Sequence, residues 1–262
     1  MKIGVCVKLV PPTDVRIELE GTGEGSSISD AVYKKLGLNT YDDAALAEAV
    51  EQKGKIGAEK VIVFSIDHRP KVDGELRNAL AKGGDELVLI SDPALSNADS
   101  FTIAKVLAEA IKQEEVDVLF CGKVSTDGEN SQVPGMISEF LGWSSATAVQ
   151  KIEFDGMKFK AWRDIGNGEQ GVVEGNIPTV LSCNKEINEP KLVKLKEKMA
   201  SRNKPLKTVS LADLGIEKPN PLITESAWSL PEARTECTFL EGSNEQMVQE
   251  LIHRLRTEVK VL

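Results

Sequence analysis

Histidine, cysteine and aromatic residues are scarce in this chain. Its 262 residues include two histidines, four cysteines and only 5% Phe, Trp and Tyr. His68 precedes Arg69-Pro70 and reads as a loop residue, and His253 reads as a surface position on a tail helix. No HxxxH, GxSxG or Cys/His pairing occurs, so those catalytic and metal-binding motifs are excluded. Cys6, Cys121, Cys183 and Cys237 lie far apart with no CxxC spacing. They read as reduced thiols rather than metal ligands or disulfide partners, which suggests a cytoplasmic protein. Long apolar runs are missing too: "VIVF" and "LVLI" fall far short of a membrane span. The opening "MKIGVCVKLV" has no small-residue cleavage site and reads as a first strand, not a signal peptide. Positive charge is in deficit. A net charge of -9 without a basic face argues against nucleic-acid binding. GxxxxGK[ST] is absent, so a phosphate-transferring P-loop is not expected.

What is present is an alternation of apolar runs and amphipathic stretches. "KIGVCVKLV", "EKVIVFSI", "ELVLISD" and "VDVLFCG" read as buried strands. "TYDDAALAEAVEQKGK", "KVDGELRNALAKGG", "DSFTIAKVLAEAIKQ" and "SQVPGMISEFLG" read as the helices between and after them. In the first helix Thr40 or Asp42 is the candidate cap, and Ala45, Leu46, Ala49 and Val50 form the apolar stripe. This alternation predicts an α/β fold with a doubly wound, mostly parallel sheet. After Trp143 the pattern changes. "TAVQKIEFDGMKFKAWRDI" reads as two strands about an Asp155-Gly156 turn, and "IPTVLSCN" as a further strand, so antiparallel strands extend the same sheet. From Glu189 the chain becomes basic and irregular, and a Pro-bearing tail ends in an amphipathic helix over "NEQMVQELIHRLRTEVK". Such a tail suits an arm that packs on a partner subunit. The expected division is a nucleotide-binding domain over 1–208 and an arm over 209–262.

Open parallel sheets bind ligands beyond the carboxyl ends of their strands. The longest strand-to-helix loop is "CGKVSTDGENSQVPGM", Cys121 to Met136. Gly122, Gly128 and Gly135 let a backbone approach a ligand. Ser125, Thr126, Asn130, Ser131 and Gln132 offer donors, and a helix start follows. The stretch suits a phosphate or nucleotide cradle, against the plainer reading of a solvated loop. No general base stands in any candidate loop, so a chain with its own catalytic site is disfavoured. Binding, or electron transfer by a bound cofactor, fits better.

Taken in order, these stretches resemble the β (small) subunit of electron-transfer flavoproteins. The resemblance rests on "GVCVKLVPPTDVRI", "LNTYDDAALAEAVEQK", "SIDHRP" with "GELRNALAKGGDELVLISD", "VDVLFCGKVSTDGENSQVPGM" and "CNKEINEPKLVKLKEKMASRNKPL". It runs from Lys2 to about Leu214, and the tail matches only in "DLGI" and in length. It implies a heterodimer with an α subunit that holds the exchanging FAD. Electrons would pass from dehydrogenases, of the acyl-CoA type, to an acceptor such as a quinone oxidoreductase. It also implies an adenine nucleotide in this chain, AMP in most of the family and a second FAD in the electron-bifurcating branch. By position, Cys6, Val7 and Lys8 follow the first strand at this site. Asn39, Thr40 and Tyr41 would hold base or ribose, and Ser65 and Ile66 would line the base. Gly122, Asp127, Asn130, Ser131, Gln132 and Val133 would surround the phosphate. Lys8 would also lie near the flavin of the α subunit. The family's dehydrogenase-recognition loop falls on Glu189 to Ala200, with Leu195 as the apolar anchor flanked by Lys191 and Met199. The alternative is that Leu192, Leu195 and Met199 pack inward.

The chain departs from the family pattern in places. Thr40 stands for a Pro, Pro12 for an Asp, and "SIDH" lacks a Gly-Pro. Gly128 and Val133 lean toward the bifurcating branch, while Pro134 stands where Gly is usual. AMP is favoured as the commoner occupant. The competing expectation is a stand-alone adenine-nucleotide sensor, which would need neither the basic loop nor the tail.

Overall fold

The computed structural model describes residues 1–217, 221–233 and 237–261. Part of the "KPNP" stretch of the tail thus lies outside the described residues. The chain divides into two units, Met1–Trp228 and Ser229–Leu262.

The strands of the main sheet in the first unit are β1 (Ile3–Cys6), β2 (Val61–Ile66), β3 (Glu86–Ile90), β4 (Val118–Gly122), β5 (Ser144–Asp155), β6 (Lys158–Gly166), β7 (Glu169–Asn176), β8 (Thr179–Cys183) and β9 (Leu206–Val209). Their spatial order is β7-β6-β5-β8-β4-β1-β2-β3-β9. Pairing is parallel from β5 through to β9 and antiparallel within the β5-β6-β7 meander. The chain runs outward from β1 through β2 to β3, then returns to place β4 on the other side of β1. The order therefore reverses between β1 and β4, and open sheets of this kind bind ligands in the crevice beyond the carboxyl ends at such a reversal.

Helices cover both faces, because the central strands are apolar on both. On one face lie α1 (Thr40–Ile56) and α2 (Val72–Lys82). Ala45, Leu46 and Ala49 of α1 and Leu76 and Leu80 of α2 pack there with Val5, Val63 and Phe120. On the other face α3 (Ser100–Gln113) and α4 (Val133–Leu141) bury Ala104, Leu107, Ile111 and Ile137 against Ile62, Phe64 and Leu119. Asp99 caps α3 by accepting from the Thr102 N–H at 2.9 Å.

Four sequence expectations need correction. The opening run is not one strand. β1 ends at Cys6, and Leu9–Val10 pair antiparallel with Gly37–Leu38. Neither Thr40 nor Asp42 caps α1. Asn39 occupies the cap position without a side-chain cap bond. The meander has a third strand, β7, which pairs along β6. The basic stretch after Glu189 is not irregular throughout: it holds α5 (Leu195–Ser201) and leads into β9 on the edge beside β3.

The second unit carries α6 (Asn244–Arg254), continued by a wider turn over Leu255–Val259, close to the expected tail helix. Ser243 and Gln246 cap its start reciprocally: Ser243 N–H donates to Gln246 Oε1 at 2.9 Å, and Gln246 N–H to Ser243 Oγ at 3.4 Å. No residue of α6 is buried.

Candidate functional site

The site is built at the strand-order reversal. Asp42, in the first turn of α1, faces the sheet rather than its own helix end. Its two oxygens accept from the N–H of Lys8 at 2.8 Å and of Gly122 at 3.1 Å. One buried carboxylate thus ties the second residue after β1 to the last residue of β4. Burial drives its pKa up, against the pull of the Lys8, Asn39 and Gly122 donors, to about 7. Gly122 is required for this contact. A Cβ there would stand 2.2 Å from Asp42 Oδ1 and 2.8 Å from both Asp42 N and Tyr41 Cβ.

Asn39 does a related job one residue before the helix. Its Nδ2 donates to Val124 O at 2.8 Å, and its Oδ1 accepts from Thr126 N at 3.3 Å. The side chain is buried and both of its ends hold the 122–132 loop. Its backbone N–H meets Lys8 O at 2.9 Å. Asn39, Asp42 and Gly122 therefore shape the crevice.

The loop itself is more open. Lys8 Nζ pairs with Asp127 at 2.8 Å across the mouth. Burial pushes the Asp127 carboxyl up, but the charge and hydrogen bond of Lys8, with hydrogen bonds from Ser125 and the backbone, together hold the group below its ordinary range. Asn130 Nδ2 donates to Ser100 Oγ at 2.8 Å, which ties the loop to the start of α3. Glu129 and Ser131 take left-handed backbone (φ 49 and 54), and Gln132 is right-handed ahead of Val133, where α4 begins. Alternating hands of this kind turn successive N–H groups toward one concavity, suited to an anion. Asp127, Asn130, Ser131 and Gln132 are exposed, while Thr40 is exposed on α1 and Tyr41 half-buried.

On the β2 side, Ser65 is 1% exposed and its hydroxyl has no hydrogen-bond partner. A buried orphan hydroxyl is costly unless something fills its valence. It stands one residue before the end of β2, where a ligand in the crevice would supply the partner. Ile66 beside it is half-buried, as is Cys6 at the end of β1, while Val7 is buried. Beyond Ile66, Asp67 is buried and paired bidentately with Arg69, whose Nη2 to Asp67 Oδ2 distance is 2.6 Å. The Arg69 guanidinium also lies over the Tyr33 ring at 5.3 Å.

The structure thus brings together Lys8, Asn39 and Asp127 by direct bonds, and Gly122 through Asp42. Cys6, Val7, Ser65 and Ile66 stand at the ends of the neighbouring strands β1 and β2. Lys191, Leu195 and Met199 belong to a separate surface, the excursion between β8 and β9. There Leu192, Leu195 and Met199 point outward, exposed at 92%, 78% and 52%, so the inward-packing alternative does not hold.

Sequence reasoning missed the role of Asp42, read as a candidate helix cap, and the Tyr33, Asp67 and Arg69 group. The Asp67/Arg69 spacing just past a strand end was the available signal.

A family-wide sequence pattern described as "Electron transfer flavoprotein domain" matches residues 30–214. Among similar proteins, an electron transfer flavoprotein subunit beta of Bradyrhizobium diazoefficiens is 29% identical over 263 residues, spanning all of both chains. One of Syntrophomonas wolfei is 32% identical over all of this chain and 98% of its own. The Caffeyl-CoA reductase-Etf complex subunit CarD of Acetobacterium woodii is 32% identical over 82% of this chain and 80% of its own. The doubly wound sheet, with its order reversing between β1 and β4, defines an α/β class of open, mostly parallel sheets. Within that class, this chain belongs to the electron transfer flavoprotein family. No helix among the described residues is long and apolar enough to cross a membrane.

Proposed function

We propose that this chain is the β subunit of a heterodimeric electron transfer flavoprotein. An α subunit would hold the exchanging FAD, and this chain would cap one side of it and bind AMP in its own crevice. The flavin, when bound, supplies the redox chemistry. This chain's residues position and shield. Its electrons would come from flavin dehydrogenases, of the acyl-CoA class, and leave to an acceptor such as a quinone oxidoreductase. The described cysteines are all unpaired, which suits a cytoplasmic carrier.

One observation carries the nucleotide reading: the buried, unpartnered Ser65 hydroxyl beside strand ends tied together by Asp42. Around it, Cys6, Val7, Tyr41 and Ile66 would line base and ribose. Asn130, Ser131, Gln132 and Val133 would meet the phosphate with loop and helix-start N–H groups. Asn39 and Gly122 would act by holding the cradle in shape. Lys8 and Asp127, paired at 2.8 Å, would gate its mouth. The exposed segment Glu189 to Ala200 would dock dehydrogenases, with Leu195 as anchor and Lys191 and Met199 as flank. The unburied helix α6 suits an arm that packs on the α subunit.

Denaturing release of nucleotides from the complex with its α subunit tests the reading. One FAD and one AMP per complex is expected. A complex without flavin absorbance would end the electron-carrier reading. Two FAD would replace AMP by a second flavin, toward which Gly128 and Val133 lean. A stable lone monomer carrying ATP would favour a nucleotide sensor.

A further inference from the structure

Between Cys183 and Leu206 the chain leaves the sheet and returns to it. The excursion presents Leu192, Leu195 and Met199 to solvent. Exposed apolar side chains on an untethered loop would fold back or sample many conformations. This excursion is instead held at both feet by helices that belong to the sheet's own cover.

At the first foot, Asn188 Nδ2 donates to Glu48 Oε2 and to Glu51 Oε2, both at 2.7 Å. Its Oδ1 accepts from Glu189 N at 2.8 Å, which sets the direction in which the segment departs. Glu48 is 6% exposed, and its other oxygen accepts from Gln52 Nε2 at 2.7 Å. A buried carboxylate served by two amides depends on both of them. At the second foot, Arg77 Nη1 donates to Ser201 O at 2.8 Å and to Lys204 O at 3.2 Å. Lys204 Nζ reaches back to Leu80 O at 2.9 Å and Gly84 O at 2.6 Å, closing the end of α2. Between the feet, Glu197 accepts from Lys194 N at 2.8 Å and from Lys191 Nζ at 3.1 Å.

We infer that Asn188 and Arg77 are positioning residues for docking. They touch no partner themselves. They hold the Leu195 face outward and ordered, so that a dehydrogenase meets a segment already in its bound shape. The inference rests on the reading of Glu189 to Ala200 as the docking segment. Pre-ordering lowers the entropy lost on association and leaves the later electron-transfer step untouched. Its loss therefore raises KM for the carrier and spares kcat.

Asn188→Asp is the decisive variant, because it keeps the shape, removes the donor and sets a third carboxylate against Glu48 and Glu51. Two readouts are taken on the complex with the α subunit. The first is trypsin cleavage at Lys191, Lys194, Lys196, Lys198 and Arg202. The second is dye-coupled turnover with an acyl-CoA dehydrogenase. Cleavage in this segment should quicken about tenfold. KM for the carrier should rise about tenfold with kcat within about twofold. Unfolding temperature should fall by only a few degrees, because the excursion can open to relieve the repulsion, and bound-nucleotide content should stay at the parent value. Adding Glu48→Gln restores a donor facing the new acceptor and should return both readouts toward the parent. Arg77→Ala should act in the same direction at the other foot.

Unchanged cleavage in Asn188→Asp would overturn the latch, and so would a failure of Glu48→Gln to rescue. Faster cleavage with an unchanged KM would overturn the positioning role. Failure of the docking reading itself looks different: Leu195→Ala would then leave both cleavage and KM unchanged.

Discussion

Gly122→Ala should be among the most damaging single-methyl additions this chain can receive. The new Cβ would stand 2.2 Å from Asp42 Oδ1 and 2.8 Å from Asp42 N and Tyr41 Cβ, closer than real Cβ contacts. The carboxylate can rotate away only by giving up the Gly122 N–H, which it accepts at 3.1 Å. Asp42 N and Tyr41 Cβ belong to the first turn of α1 and move only with the helix. Overpacking of this kind costs about 1–3 kcal/mol. A buried N–H left without an acceptor costs about 1–3 kcal/mol more. The sum, about 2–6 kcal/mol, is a large share of a domain stability of about 5–15 kcal/mol. For an m-value of about 2–3 kcal/mol per molar urea, the midpoint should fall by about 0.7–3 M. Urea unfolding followed by far-UV circular dichroism measures this. Bound nucleotide should fall with it, since the same helix start carries Asn39. Gly135→Ala is the control. It lies within α4 with nothing inside 4 Å of an added Cβ, and it should stabilise by about 0.5–1 kcal/mol. A Gly122→Ala midpoint equal to the parent's, or a Gly135→Ala loss of similar size, would refute the packing argument.

Asp42 should print a signature on the pH dependence of stability. Its folded pKa is raised to about 7 from an ordinary 3.8, so the folded state holds this proton across that window and the unfolded state does not. Stability from this group is therefore highest below about pH 4 and falls as pH rises to about 7, by up to roughly 4 kcal/mol in total. Asp42→Asn should remove this slope, and parallel stability curves for parent and variant between pH 4 and 7 would contradict it. Lys8→Met removes an ion pair that is half exposed, so thermal unfolding should shift by no more than about 1 kcal/mol. Nucleotide affinity, measured by titration of the stripped complex, should change more than stability does. Leu46→Ala, at a fully buried α1 position, should cost about 2–5 kcal/mol in urea unfolding without changing nucleotide stoichiometry. A loss below about 1 kcal/mol would mean that α1 is not fixed on the sheet as described.

The parts of the fold that the sequence announces are those whose burial is two-sided. β2, β3 and β4 are continuous apolar runs because helices cover both of their faces, so each is visible in isolation. β7 is the opposite case. "EQGVVEGN" carries two glycines and two glutamates, poor strand residues by propensity. It is a strand because β6 lies beside it, with Ala161 opposite Val173 and Phe159 opposite Gly175. Gly175 leaves room for the Phe159 ring, since a Cβ there would meet the ring at 2.6 Å. β9 escapes notice for the same reason. Only Val209 of its four residues is buried, and its pairing with β3 across a long sequence gap is what makes it a strand.

The same physics decides which site residues could be read. Gly122 lies in the glycine-rich loop after an apolar run, so position along the chain exposes it, while Lys8, Asn39 and Asp127 are reached through the family resemblance. Asp42 is reached by neither route, because an acid in a first helical turn has an ordinary local use in offsetting the helix dipole. What distinguishes it is the pair of backbone N–H groups it accepts, 34 and 80 residues away in sequence. Those contacts exist only once β1 and β4 are neighbours. The parts of the crevice that shape it are therefore set by topology, and the parts free to meet a ligand are set locally. Swapping Asp42 should then disturb stability and nucleotide binding together. Changes at Ser131 or Gln132, exposed on the loop, should weaken binding while leaving the unfolding midpoint in place. Measured on the same variants, a midpoint that moved with every loss of binding would erase that distinction.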